Sequence, residues 1–209
     1  STTNRQPKIA QITTVSTVQR LYNAILALPL GPLKNDIPAY QLVFHTSNQD
    51  ILSIIDETGN AISLEGNNQT RGGWYIMNDQ FKRLLQETLS GTTFAPALPD
   101  QLSFTLSTDT GNRPATIITN VTSIQKLYKK ILSLPVAQSP HLPDCMGNDK
   151  ISGKGKWYYL NFFQWGLPIL QIQSYEGCST VFANVINNQL LLLQDNQELW
   201  ALVHNVTSR

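Results

Sequence analysis

Hydrophobic positions along this chain fall into two spacings, and the two spacings follow one another in the same order twice. Val18, Leu21, Tyr22, Ile25 and Leu26 recur at three- and four-residue intervals, as do Ile124, Leu127, Tyr128, Ile131 and Leu132. Each set places one apolar stripe on a helix. Ser16 with Gln19, and Thr122 with Gln125, have capping-box spacing, while Pro29 and Pro135 mark where the helices stop. A short β-prone run precedes each helix, at 9–13 and 115–119. After each helix, period-two alternation predicts strands at 39–45, 51–56, 61–65 and 73–77, and again 118 residues later. A second helix ends each set. Its stripe is Phe81, Leu84, Leu85 and Leu89 in the first, and Leu199, Leu202, Val203 and Val206 in the second, where Asp195 and Glu198 have cap spacing.

The two sets align residue by residue. Val15–Leu30 matches Val121–Val136 without a gap at an offset of 106, with eight of 16 positions identical. Beyond the first helix the offset becomes 118: Tyr40, Leu42 and Phe44 match Tyr158, Leu160 and Phe162, and Ile51, Leu52, Ile54 and Gly59 match Ile169, Leu170, Ile172 and Gly177. The second copy therefore carries a 12-residue insertion. The predicted fold class is α+β: a tandem duplication of a β-α-β-β-β-β-α unit, an antiparallel sheet with helices on one face. The other face is left open or shared. The first repeat is placed at 1–97 and the second at 98–209. The second also has an extra strand at 102–107, read as an edge strand leading into a turn at Thr110-Gly111-Asn112, and an inserted loop at 139–155.

Composition narrows the partners. Only 14% of the 209 residues are charged, with a net charge of +1, against roughly 25% charged in an average soluble domain. Such a chain lacks the basic field that drives binding to nucleic acid or anionic membranes. No apolar run reaches the ~20 residues needed to span a bilayer. The polar start, Ser1 to Pro7, lacks the apolar core of a signal peptide, so an export signal or anchor is expected to have been removed ahead of it.

Cys145 lies in the inserted loop, and Cys178 follows Gly177 at a strand turn. The first copy has neither, with Asn60 opposite Cys178. Their joint absence there points to a Cys145–Cys178 disulfide that pins loop 139–155 to the end of the sheet, worth roughly 3–4 kcal/mol in the chain-entropy model, and to an oxidising compartment. Two unrelated buried thiols are the alternative.

The second copy has the helix Ile124-Gln-Lys-Leu-Tyr-Lys-Lys-Ile-Leu-Ser-Leu-Pro135, a cysteine-containing loop, Trp157-Tyr-Tyr-Leu-Asn-Phe162, Gly177-Cys178 and a closing Asn196-Gln-Glu-Leu-Trp200. It resembles a module of exported proteins and lipoproteins of actinobacteria and Chloroflexi. The resemblance implies an extracellular or cell-surface location and brings no established activity. The element order is also similar to other duplicated helix-and-sheet proteins, among them the TATA-binding fold and the tandem-repeat inhibitor of β-lactamases, but fold does not imply function.

Catalytic signatures are missing from the sequence. His45, His141 and His204 sit in no recognisable motif, and there is no nucleophile elbow, zinc-binding His-Glu-X-X-His or phosphate-binding glycine loop. Asp50, Asp56 and Glu57 read as a solvated hairpin. Asn68-Gln-Thr70, Asn120-Val-Thr122 and Asn205-Val-Thr207 match the glycosylation sequon. No metal or cofactor is expected. The suggestive feature is aromatic: with Tyr158, Leu160 and Phe162 turned to the helices, Trp157, Tyr159, Asn161, Phe163 and Trp165 share the other face, joined by Gln171 and Gln173 of the next strand. Rings interleaved with amides suit a binding surface, with a cell-wall glycan or an extracellular protein as candidate partner. The same face could instead serve to pack two sheets together. The expected function is an exported cell-surface binding or scaffolding protein without catalysis. The alternatives are an exported carbohydrate-active hydrolase, or an inhibitor of an extracellular enzyme.

Overall fold

The computed structural model describes residues 6–32, 38–45, 50–56, 60–65, 73–108, 111–137, 157–175, 180–185, 189–194 and 198–207. The chain divides into two compact units: one is Lys8–Ala95, the other runs from Pro96 and takes in Gln6 and Pro7. Both are α+β with antiparallel sheets.

The first unit holds β1 (Lys8–Ile9), α1 (Val15–Leu26), β2 (Pro38–His45), β3 (Asp50–Asp56), β4 (Ala61–Glu65), β5 (Gly73–Ile76) and α2 (Asp79–Ser90), and ends at β6 (Ala95–Pro96). Its sheet is a sequential meander, β2-β3-β4-β5, the arrangement that short connections between antiparallel strands permit. Leu21 and Ile25 of α1 pack with Phe81, Leu84 and Leu85 of α2 over Phe44, Ile62 and Tyr75 of the sheet. Leu26, expected in the apolar stripe, is 46% exposed. Of the β-prone run at 9–13, only Ile9 lies in a strand.

The second unit holds β7 (Gln101–Thr108), β8 (Gly111–Asn112), β9 (Thr116–Ile118), α3 (Val121–Ser133), β10 (Trp157–Gln164), β11 (Leu167–Tyr175), β12 (Thr180–Val185), β13 (Gln189–Gln194) and α4 (Glu198–Thr207). The strand order is β13-β12-β11-β10-β7-β8, with β9 also paired to β7. The extra strand is therefore not an edge strand. β10 uses one row of its backbone groups over Gln101–Ser107, and β8 and β9 share the other side. Alternation alone cannot separate an edge strand from an inner one, because the partner that covers it is remote in sequence.

Helix starts also differ from expectation. α1 begins at Val15 behind Thr14, which makes no side-chain cap. α3 begins at Val121 behind Asn120, whose Oδ1 accepts from Ser123 N at 3.0 Å. Ser16 and Thr122 thus sit inside the first turn, and the capping boxes predicted there do not form. Asparagine caps better than threonine, which moves the α3 boundary upstream, and it gives Asn120 of the sequon a structural role.

Each unit closes in the same way. After α1, Gly31 N donates to Trp74 O (2.8 Å) and Ile76 N to Pro29 O (2.9 Å), bridging Leu30 to Tyr75 on the outer side of β5. After α3, Ala137 N donates to Leu192 O (2.8 Å) and Gln194 N to Pro135 O (2.8 Å), bridging Val136 to Leu193 on β13. The helix-stopping prolines therefore also supply carbonyls that cover part of an otherwise open sheet edge. Ring packing matches too: Tyr22–Phe44 centroids are 5.6 Å apart at 61°, and Tyr128–Phe162 are 5.7 Å apart at 55°.

Candidate functional site

β10 is the middle of the candidate surface, and its two faces are unlike. Tyr158, Leu160, Phe162 and Gln164 are buried, while Trp157, Tyr159, Asn161 and Phe163 between them are half-buried. The buried set faces the helices: Phe162 meets Tyr128 of α3, and Tyr158 lies 4.9 Å from Trp200 of α4 between ring centroids. Period-two geometry then puts Trp157, Tyr159, Asn161 and Phe163 on the opposite, open face.

Register extends that face across the sheet, since paired residues point the same way. One row runs Ser103, Asn161, Gln171, Asn184 across β7, β10, β11 and β12. The next runs Thr105, Tyr159, Gln173, Phe182, Leu192 out to β13. On the other side Phe163 stands between Gln101 and Pro168, beyond a bulge at Phe162/Phe163 that buries both Ile169 and Leu170. A hydroxyl-and-amide row is thus flanked by rings. Among the described residues, Asn184 Oδ1 and Thr180 Oγ1 are buried without a hydrogen-bond partner.

Trp165 does not continue the strand. It and Gly166 form the two-residue connection from Gln164 to Leu167, with φ of 54° and 80°. Positive φ at both central residues is the geometry of a hairpin turn that normally takes Asn-Gly, and a tryptophan there is strained. The residue is 42% exposed at the tip of the hairpin, and its backbone N–H is held by Asp100 Oδ2 at 3.0 Å. Gln164, buried beside it, accepts from Leu98 N at 2.7 Å, and Asp100 N donates to Phe163 O at 2.9 Å. Pro7 O accepts from Ala97 N at 2.8 Å. These bonds dock the 97–100 segment onto the hairpin and set the aromatic end of the face.

Sequence reasoning missed Ser103 and Thr105 on β7, and Phe182 and Asn184 on β12. The alternation within Thr180–Val185 would have exposed the latter pair, but the β7 residues required knowing that β7 lies beside β10. Of the other candidates, His204 is an exposed residue of α4 whose ring lies edge-on to Tyr158 at 6.4 Å, and Asn205 is exposed on the same helix. The side chains of His45, Asp50 and Asp56 lie outside the described residues, as do Glu57, Asn68, His141, Cys145, Cys178 and loop 139–155. Among the described residues no group of three or more His, Cys, Asp and Glu could hold a metal ion, and no helix is long and apolar enough to cross a membrane.

An open groove of about 470 Å³ separates α1 and α2, lined by Arg20, Ala24, Ala27, Phe81, Arg83 and Glu87 among others. In the second unit the corresponding gap is bridged by Lys130 and Glu198. Ala24 and Gln80 occupy those places in the first unit, where exposed Arg20 and Glu87 instead approach to 3.9 Å from α1 and α2.

No protein-family model matches the chain, no curated protein is detectably similar to it, and no solved structure matches its fold.

Proposed function

We propose that the chain is an exported, non-catalytic binding or scaffolding protein built by tandem duplication, and that the open face of the second unit is its interaction surface. The carrying observation is the alternation along β10, which leaves Trp157, Tyr159, Asn161 and Phe163 accessible beside Gln171 and Gln173. Rings give rigid contact area at small entropic cost, and amides orient a partner through hydrogen bonds. The strained Trp165 adds to this, since backbone strain collects where a side chain must be presented. The matched edge closures and ring pairs support duplication, because two segments related by offsets of 106 and 118 meet in each unit across the insertion. Export follows the likeness to surface lipoprotein modules and the cysteine pattern.

The test is a thermal-shift screen of the oxidised protein against neutral and acidic glycans, peptides and divalent metals. The expected result is a shift that disappears in Trp157→Ala while circular dichroism and cooperative melting are retained. Hits that survive both Trp157→Ala and Tyr159→Ala would overturn the assignment of the face.

A further inference from the structure

The open face has a chemical character sharper than "aromatic", and it names a ligand class. On the proposal that this face binds, we infer that its ligand is an uncharged polyhydroxylated chain, a neutral oligosaccharide. The described face positions of β7, β10, β11, β12 and β13 are hydroxyl, amide, aromatic, aliphatic or proline, and none is acidic or basic. The chain has 29 charged side chains to place, so their absence from the described positions of this face is informative. A charged ligand would leave its charge unmatched here, whereas a neutral one loses nothing.

The arrangement of polar groups fits a sugar chain. Ser103, Asn161, Gln171 and Asn184 form one continuous line across four neighbouring strands, about 14 Å long at the usual strand spacing. That is room for a short oligosaccharide, not a single ring. The lines on either side carry Tyr159 and Phe182, and Phe163, at about 7 Å along the strands. Pyranose rings present hydroxyls at their edges and C–H groups on their faces. Amides in a central line can both donate to and accept from the hydroxyls, and rings on the flanks can stack on the C–H faces. A purely apolar partner would leave the amide line desolvated and unpaired.

The experiment is titration calorimetry of the full oxidised chain with cellohexaose, chitohexaose, xylohexaose and laminarihexaose, and with a hexamer of polygalacturonate. Each is run at 0.05 and 1 M NaCl and followed by the corresponding disaccharides. The expected result is that at least one neutral hexamer binds, more tightly than its disaccharide, with affinity changed less than about twofold by salt because no charge is screened. Gln171→Ala, at an exposed position, should weaken it roughly fivefold or more without altering the melting temperature. The inference is overturned if only the acidic hexamer binds, if 1 M NaCl abolishes binding, or if all four neutral hexamers fail. In those cases a peptide or acidic hit lost on Trp157→Ala would keep the binding face and discard the sugar, and the absence of any Trp157-dependent hit would discard both.

Discussion

Tyr128 carries a cost that substitution should remove. The residue is fully buried between α3 and the sheet, with its ring against Phe162, and its hydroxyl has no hydrogen-bond partner among the described residues. Mutational data put burial of an unpaired hydroxyl at about 1–3 kcal/mol. Tyr128→Phe keeps the ring and its packing and deletes only the oxygen, so it should stabilise the second unit by that amount. At roughly 4 °C per kcal/mol for a unit of this size, the melting temperature rises by about 4–12 °C. Desolvation also raises the phenol's pKa above its ordinary value near 10. Above pH 10 the unfolded chain gives up this proton while the folded one keeps it, so the wild type binds more protons when folded and loses stability as pH increases, by about 1.4 kcal/mol per pH unit from this group. Below pH 10 both states are protonated and the contribution is flat. The Phe variant lacks that alkaline slope. Urea unfolding at pH 7 and at steps above 10 reads both effects. Half-buried Tyr22, at the matching place in the first unit, is the control, and Tyr22→Phe should change stability by less than about 0.5 kcal/mol. A destabilised Tyr128→Phe protein, or identical alkaline slopes, would show that the hydroxyl has a partner and refute the argument.

Two further substitutions probe how the site is held. Gln164→Met removes the acceptor of Leu98 N and should cost about 0.5–1.5 kcal/mol in urea unfolding, the net worth of a partly buried hydrogen bond; no loss would mean that the 97–100 segment is not anchored through this bond. Asn120→Ala deletes the α3 cap and should cost about 1 kcal/mol, whereas Thr14→Ala, where no side-chain cap forms, should cost less than half as much in the same assay.

Much of the architecture was legible because burial imposes a period. The helix stripes at Leu21 and Ile25 and at Ile124, Leu127 and Ile131 appear as read, and so does the two-faced strand from Trp157. Features set by partners far away in sequence were not legible. The inner position of β7, the closing bonds of Pro29 and Pro135, and the docking of Leu98 and Asp100 on the hairpin all depend on which backbone groups meet, and side-chain periodicity carries no record of that. Trp165 is a separate case. Parity counted it as a strand residue, and the turn became visible only in its positive φ, which a tryptophan rarely adopts.

On the proposed duplication, the two copies differ by face. The residues of the first copy that match the helix-facing set of β10 in sequence are the same, Tyr40 with Tyr158, Leu42 with Leu160 and Phe44 with Phe162, as close packing against helices demands. The alternate positions all differ: Ala39, Gln41, Val43 and His45 stand where the second copy has Trp157, Tyr159, Asn161 and Phe163. Packing pressure alone would fill such a face with aliphatic residues, because every amide buried between sheets must find a partner or pay desolvation. Instead the second copy gains Trp157, Tyr159 and Phe163 while keeping one amide, now Asn161, among them, and β7 adds Ser103 and Thr105 beside them. An amide row retained among rings makes physical sense where the occupant brings its own hydrogen-bonding groups and can be exchanged for water. That combination favours recognition over permanent sheet-on-sheet packing as the origin of the divergent face.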